Sequence, residues 1–311
     1  MRLLWAAATC LVLGASMLAQ CAAAGTLEVG PGKPYRLPSQ AIAAAGDGDR
    51  IVIGPGTYAD CAVLHLNNVV IEGSDRRGGT VLAGKTCMDK AILIAIGNNI
   101  TVRNLTLARA HSADFNGAGI RDQSRSLTVD GVRFLDNEDG ILTSNSADAT
   151  LVVRNSEFLR NGSCRTACAH GIYAGRIAML RVEHSRFLET REGHHIKSRA
   201  ARTEVIGCDI ADGPRGTASY LIDIPNGGAV MLRGNTMEKG PQTGNQTAAI
   251  MIGAEGVSLA TPAIVVADNR FRNDGTVRTT FVENRTGTPA QLSNNRLTGP
   301  VDPLKGPGTV R

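Results

Sequence analysis

A short alternation of apolar and polar residues recurs along most of the chain, every 23 to 34 residues. Anchored on its second apolar residue, the repeat returns at nine positions: Ile71, Val102, Val129, Val153, Val182, Val205, Leu232, Val266 and Leu292. The apolar residues alternate with period two over runs too short for helices, which excludes a helical solenoid. Leucine does not hold fixed consensus sites, which excludes a leucine-rich solenoid. The pattern predicts a coil of short parallel strands.

Two further columns accompany the anchors. Two positions after each anchor stand residues that adopt a left-handed backbone at little cost: Gly73, Asn104, Gly131, Asn155, His184, Gly207, Gly234, Asp268 and Asn294. This column predicts a sharp bend in every turn. Five positions after the anchors, a column that can stack inside consists of Phe134, Phe158, Phe187, Ile210, Met237, Phe271 and Leu297. We therefore expect an all-β fold, a single-stranded right-handed parallel β-helix.

The chain divides into four segments. Residues 1–24 combine one arginine, an apolar run and three closing alanines, which is typical of a cleaved signal peptide and predicts a secreted or periplasmic protein. In residues 25–48, Pro38 precedes strong helix formers, so we expect a short helix that caps the coil. Residues 49–298 are expected to form the β-helix, and the Gly- and Pro-rich residues 299–311 a loose tail. We expect no transmembrane segment in the mature chain, since no second apolar run is long enough, and a monomer.

Five cysteines follow the signal sequence. Cys61 and Cys87 lie about one coil apart and could be neighbours, and Cys164 and Cys168 could close a small loop. Cys208 holds a ladder position, where we expect it to be buried and free. The formal charge of +5 permits an acidic partner. Basic patches interleaved with aromatic residues do not occur, so no nucleic-acid site is predicted.

Several stretches carry a resemblance to a known superfamily. These are Ala41-Ile42-Ala43-Ala44-Ala45, then Gly46-Asp47-Gly48-Asp49-Arg50-Ile51-Val52-Ile53, Gly56-Thr57-Tyr58, and the Asn-rich bends. They resemble the pectin-lyase-like right-handed parallel β-helices over nearly all of the mature chain. The stretches at 194–200 and 224–228 are similar to those of exported bacterial β-helix repeat proteins, a group that implies a fold more firmly than an activity.

Among the enzymes of this superfamily, the alginate and dermatan lyases are the most similar. The stretch Ile196-Lys197-Ser198 resembles the one that carries their lysine base. Their arginine would be expected on the next coil, where this chain has Asp223, and their acidic calcium ligands are replaced by His194 and His195. The resemblance implies an acidic polysaccharide as partner and leaves calcium possible, while the sequence fixes no metal site.

The strand around Lys197 predicts a functional face. If Ile120, Ile141, Ile172, Ile196, Ile222 and Ile250 point inward as one stack, their neighbours on both sides point outward. The column after them is Arg121, Leu142, Tyr173, Lys197, Asp223 and Met251, and the column before them is Gly119, Gly140, Gly171, His195, Leu221 and Ala249. By the same alternation, His194 would face inward. Tyr173, Lys197 and Asp223 would then form a ladder beside a shallow groove.

Such a face could support β-elimination from a uronic-acid polymer, which needs a cation, a base and an acid. Lys197 is the candidate base, Arg199 or Arg121 the carboxylate ligand, and Tyr173 or His195 the acid. Arg121, Asp223 and Asn226 are candidate substrate ligands. Neighbouring arginines would favour a neutral Lys197, whereas Asp223 would oppose it.

Two other functions stay open from the sequence. Lys197 and Asp223 could form only an exposed cross-coil salt bridge, which contributes about 0–1 kcal/mol. The protein would then be a non-catalytic carbohydrate-binding protein or a structural envelope protein. Only 4% of the residues are aromatic, so platforms for stacking sugars are scarce and charge would have to provide recognition.

Overall fold

The chain is described here by a computed structural model, which covers residues 24–75, 79–165 and 167–311. The predicted signal peptide lies almost wholly outside these residues. Three long parallel sheets run side by side along the described chain, and each coil contributes one strand to each sheet in turn. Successive strands within every sheet pair in parallel, so the coil is a parallel β-helix.

Sheet 1 contains the repeat anchors. Its strands, in stacking order, are Thr26–Val29, Arg50–Ile53, Val70–Gly73, Ile100–Arg103, Ser126–Asp130, Ser146–Arg154, Ile177–Glu183, Arg202–Ile206, Ala229–Arg233, Ile264–Ala267, Ala290–Ser293 and Gly308–Val310.

Sheet 2 carries the candidate face. Its strands are Ala62–Leu64, Ala91–Ala95, Ala118–Asp122, Asp139–Thr143, Ile172–Ala174, His194–Ser198, Tyr220–Ile224, Ala248–Ile252, Thr279–Asn284 and Val301–Lys305.

Sheet 3 holds the aromatic column. Its strands are Gly56–Tyr58, Thr80–Ala83, Thr106–Ala108, Arg133–Leu135, Glu157–Leu159, Arg186–Leu188, Asp209–Ala211, Thr236–Lys239, Arg270–Asn273 and Arg296–Thr298. A small antiparallel pair, Ser163–Cys164 and Cys168–Ala169, projects from one coil.

The predicted anchor, bend and aromatic columns are confirmed. Each anchor pairs with the next anchor in register, and all nine are at most 2% exposed. The rings of Phe134, Phe158 and Phe187 stack with centroids 4.5 and 4.4 Å apart. Every residue of the bend column except Gly73 has a positive φ, between 45° and 67°. The bends therefore allow each strand of sheet 1 to turn sharply towards sheet 3.

A helix, Pro38–Ala44, packs against the first strands of sheets 1 and 2 and buries Ala41 and Ile42. This is the short helix expected near the N-terminal end of the coil. The same segment also contributes the strand Thr26–Val29, which pairs with Arg50–Ile53, so the coil begins earlier than expected. No helix in the described ranges is long and apolar enough to span a membrane.

The expectation of a loose C-terminal tail is wrong. Val301–Lys305 pairs with Thr279–Asn284, and Gly308–Val310 pairs with Ala290–Ser293. The preceding coil presents unpaired backbone N–H and C=O groups at its edge, and these groups order the following segment despite its glycines and prolines.

The cysteine predictions are confirmed. Cys61 and Cys87 form one disulfide, and Cys164 and Cys168 form another within the small antiparallel pair. Cys208 is free and buried, and burial raises the pKa of its thiol to about 11.

Candidate functional site

The isoleucine stack of sheet 2 sets the geometry of the site. All six isoleucines are fully buried and in register with one another. Because strand residues alternate faces, the next residue of each strand points outward. Tyr173 pairs with Lys197, and Lys197 pairs with Asp223, so the predicted ladder exists.

The column before the isoleucines faces inward, which corrects the prediction of an outward column. A Cβ added to Gly140 would lie 2.7 Å from the ring of Phe158, and one added to Gly119 would lie 2.7 Å from the ring of Phe134. The chain enters sheet 2 at a corner, and there two successive residues of each strand border the interior. The glycines therefore make room for the aromatic stack inside the coil and do not form the groove that the sequence predicted.

His195 belongs to this inner column and is fully buried. Its Nδ1 lies 2.8 Å from Thr190 Oγ1, and its Nε2 lies 2.9 Å from Asp212 Oδ1. The prediction that His195 points outward, where it could act as an acid, is therefore wrong. Both of its ring nitrogens bond to groups in the interior.

His194 lies on the outer side instead of facing inward, with 12% of its side chain exposed. Its ring stacks between those of His170 and Tyr220, at centroid distances of 4.9 and 5.2 Å. Its Nδ1 accepts a hydrogen bond from the backbone N–H of Tyr220, so the proton of a neutral ring lies on Nε2, 3.4 Å from Asp223 Oδ2. Burial, followed by the charge of Lys197, lowers the pKa of His194 to about 3.

Lys197 and Asp223 form a largely buried pair. The Nζ of Lys197 lies 3.2 Å from Asp223 Oδ2, and the two side chains are only 11% and 4% exposed. Asp223 Oδ1 is buried without a hydrogen-bond partner. Burial raises the pKa of Asp223, while Lys197 acts against this shift. Asp223 thus has one oxygen held by neighbours and one oxygen free to accept a proton.

Arg199 links the ladder to the next coils. Its Nε donates to Tyr173 Oη at 3.0 Å, and its Nη1 donates to Asn226 Oδ1 at 2.5 Å. Its Nη2 lies 2.6 Å from Glu255 Oε2, while Glu255 Oε1 accepts from Lys197 Nζ at 2.8 Å. One carboxylate therefore bridges the two cations of the site.

Arg121 is not part of this cluster. It stands in the same outward column but three strands away from Lys197. It lines a groove of about 420 Å³ that also borders Asn116, Asp139 and Tyr173. The groove and the charged cluster therefore share Tyr173, and an extended ligand could contact both.

Glu255 is the functional candidate that the sequence analysis missed. It lies four residues beyond the outward column, between Gly253 and Gly256, both of which have positive φ. The sequence does contain a signal that could have identified Glu255, namely an acidic residue flanked by glycines one coil beyond Asp223. The sequence analysis also assigned no role to His170, which is a buried member of the histidine stack and whose pKa burial lowers well below its usual value.

In the described part of the chain, no group of three or more His, Cys, Asp or Glu side chains is arranged to hold a metal ion. Calcium dependence and the chemical roles of the site residues stay predictions.

No family model matches the chain, and no curated protein is detectably similar to it in sequence. An alginate lyase from Paenibacillus sp. str. FPU-7 superposes with a TM-score of 0.61 at 16% identity, over 91% of this chain and 99% of the lyase. A deglycosylated pectin methylesterase from Aspergillus niger gives a TM-score of 0.52 at 11% identity, over 88% of this chain and 86% of that protein. The chain therefore has the right-handed parallel β-helix fold of these solved structures. At these identities the likeness establishes the fold alone, so an activity must be argued from the side chains.

Proposed function

We propose that this protein binds an acidic polysaccharide across sheet 2 and cleaves it by β-elimination. The observation that carries this proposal is the convergence of Lys197 and Arg199 on one carboxylate, that of Glu255. Two cations that already hold a carboxylate can equally hold that of a uronic acid. Structural neighbours named as an alginate lyase and a pectin methylesterase add support, since alginate and pectin are acidic polysaccharides.

Each step of the elimination has a candidate group. Lys197 and Arg199 neutralise the uronate carboxylate, which acidifies the adjacent C–H bond. Asp223 is the candidate base for that proton, because it lies beside Lys197 and burial raises the pKa of its carboxyl. Tyr173 donates its hydroxyl proton to the leaving glycosidic oxygen. Arg199 Nε already occupies one acceptor position of Tyr173 Oη, which leaves its O–H free to donate.

The reaction balances without an added reagent. The C–H electron pair forms a carbon–carbon double bond, the glycosidic C–O bond breaks with its electrons on oxygen, and Tyr173 supplies the proton that this oxygen needs. This assignment makes Lys197 a carboxylate ligand instead of the base expected from the sequence. Two carboxylate oxygens lie within 3.2 Å of its Nζ, so its contacts are those of an anion ligand.

The test follows the ultraviolet absorbance of the unsaturated uronate while the protein meets alginate or polygalacturonate, with and without calcium. Calorimetry measures affinity for the same polymers. We expect Asp223→Asn to lose about 10²-fold or more in turnover while keeping its affinity. Lys197→Ala should lose both, and Lys33→Ala, which removes a lysine paired with Glu28 far from the site, should change neither.

The variants also discriminate between mechanisms. Loss of turnover with unchanged affinity in Lys197→Ala would return the role of base to Lys197. Binding without turnover in the unmodified protein would contradict elimination and favour a carbohydrate-binding protein. Absence of both would contradict the proposal for these polymers.

An exported location suits this proposal, because acidic polysaccharides of this kind lie outside the cytoplasm. The two disulfides are compatible with an oxidising compartment. We infer export as a monomer through the predicted signal peptide.

A further inference from the structure

The carboxylate of Glu255 makes the contacts of a bound ligand. Its two oxygens accept from two different cations, Lys197 at 2.8 Å and Arg199 at 2.6 Å. Its side chain is 43% exposed, whereas those of Lys197 and Arg199 are 11% and 18% exposed. The carboxylate thus covers two cations that are largely shielded from water.

The backbone that carries Glu255 is held in place independently of this contact. The N–H of Glu255 donates to the carbonyl of Pro225 at 3.0 Å, and Asn226 Nδ2 donates to the carbonyl of Gly256 at 3.1 Å. Further backbone bonds tie residues 258 and 259 to the carbonyl of Asn226. The stretch at 224–228 that the sequence singled out therefore anchors this loop. Only the side chain of Glu255 has to move to uncover the cations.

The charges at the site leave no place for another anion while Glu255 is bound. Lys197 and Arg199 carry two positive charges, and Asp223 and Glu255 carry two negative ones. Hydrogen bonds from Lys197 and Arg199 hold the pKa of Glu255 below its usual value, although partial burial acts to raise it. A carboxylate added beside Glu255 would find both cations already paired, whereas one that replaces Glu255 keeps the balance of charge.

We propose that Glu255 is a built-in occupant of a carboxylate-binding seat between Lys197 and Arg199, and that the carboxylate of a uronic-acid polymer displaces it. This inference rests on the proposed function for the identity of the polymer, but the seat itself does not. Glu255 then lowers the apparent affinity of the seat for any other carboxylate, because the ligand must displace it. Neutral polysaccharides cannot displace it, so it also selects for carboxylated chains.

Alanine variants separate a competing carboxylate from a change in net charge. Glu255→Ala uncovers the seat. Glu157→Ala is the matched control, since Glu157 is a partly exposed carboxylate 2.7 Å from Arg133 on sheet 3 and its loss changes the net charge equally. If Glu255 closes the seat about nine-tenths of the time, Glu255→Ala should bind polygalacturonate or alginate about tenfold more tightly. Glu157→Ala should stay within about twofold of the unmodified protein.

A second measurement probes the seat with a small carboxylate and no polymer. Sodium acetate at a concentration well above its Kd should raise the thermal unfolding midpoint of Glu255→Ala by about 2 °C relative to sodium chloride at equal ionic strength. The unmodified protein and Glu157→Ala should show a much smaller rise, because acetate must first displace Glu255.

The outcomes are distinguishable. Acetate stabilisation specific to Glu255→Ala, without polymer binding in any variant, would support the seat and contradict the polysaccharide function. Polymer binding that is no tighter in Glu255→Ala, together with no acetate effect, would overturn the seat while leaving the proposed function standing. Equal increases in polymer affinity in Glu255→Ala and Glu157→Ala would show that net charge causes the effect. That result would also overturn the seat.

Discussion

Asp223 lies on the coil next to Lys197, directly opposite it in the sheet 2 register, and its Oδ2 is 3.2 Å from the lysine Nζ. One alternative left open by the sequence is an exposed salt bridge, yet the side chains of Lys197 and Asp223 are only 11% and 4% exposed. Removing Lys197 leaves the shielded carboxylate of Asp223 without its counterion, which costs more than the loss of a surface salt bridge.

A double-mutant cycle measures this coupling. We expect Lys197→Met to lower the free energy of unfolding by about 3 kcal/mol, and Lys197→Met with Asp223→Ala to lower it by clearly less than the sum of the single changes. Urea denaturation provides the free energies. The exposed pair of Lys33 and Glu28 is the control and should couple by about 0.5 kcal/mol. A coupling this small between Lys197 and Asp223 would contradict a shielded pair.

His194 should stay neutral across the range in which histidines usually titrate. Burial lowers its pKa to about 3, and its Nδ1 accepts from the backbone of Tyr220. Nitrogen-15 NMR of the imidazole should therefore show a single tautomer protonated at Nε2, with no change between about pH 5 and pH 8. His194→Gln assigns the signals by their loss. An inflection near the ordinary histidine pKa would show that the stack with His170 and Tyr220 does not exclude water.

The free energy of unfolding should fall with rising pH because of Asp122. This carboxylate is 3% exposed, accepts from Ser124 N at 3.0 Å and Ser124 Oγ at 2.6 Å, and burial raises its pKa to about 6. The folded state therefore binds the proton more tightly than the unfolded state. The resulting stability is fully present below about pH 4 and is lost as the pH rises through about 6, for a total of about 3 kcal/mol.

Asp122→Asn tests this assignment, because asparagine can accept the same two bonds from Ser124 without a charge. Urea denaturation between about pH 4 and pH 8 should show the fall in the unmodified protein and a flatter curve in the variant. Asp148→Asn is the control, since Asp148 is exposed and its pKa is lowered, mainly by a hydrogen bond from Ser146. If the free energy of unfolding falls by an equal amount in Asp122→Asn, a titratable group other than Asp122 causes the fall.

The sequence predicted the columns of the coil because they depend only on alternation and on the spacing of the repeats. Once Ile172, Ile196 and Ile222 are placed inside, Tyr173 and Lys197 must meet on the outer surface. The positions of His194 and His195 could not be predicted in this way. The strand pairs His194 with Tyr220 and Ile196 with Ile222 while residue 195 borders the interior, so alternation fails at the corner.

Contacts that depend on loop conformation could also not be predicted from the sequence. Glu255 reaches Lys197 across 58 residues of chain, and only the bonds of its loop to Pro225 and Asn226 bring it there. The C-terminal strands depend in the same way on a partner strand and not on their own composition. Local propensity is overridden wherever the edge of a neighbouring coil supplies the hydrogen bonds.

Tyr173→Phe tests the proton donor of the proposed reaction without disturbing the ring. The ring would keep its edge contact with His170, at a centroid distance of 5.2 Å, so folding should be retained. The change removes the proton for the leaving oxygen and the acceptor of Arg199 Nε. Turnover on a uronate polymer should then fall by about 10²-fold or more, with a change in affinity of less than about threefold. Tyr35→Phe, which alters a tyrosine beside the N-terminal strand, is the control and should behave as the unmodified protein.

Full turnover in Tyr173→Phe would exclude Tyr173 as the acid. His195 could not then take over directly, because its two nitrogens are bonded inside the coil, and a water molecule in the groove would become the remaining donor.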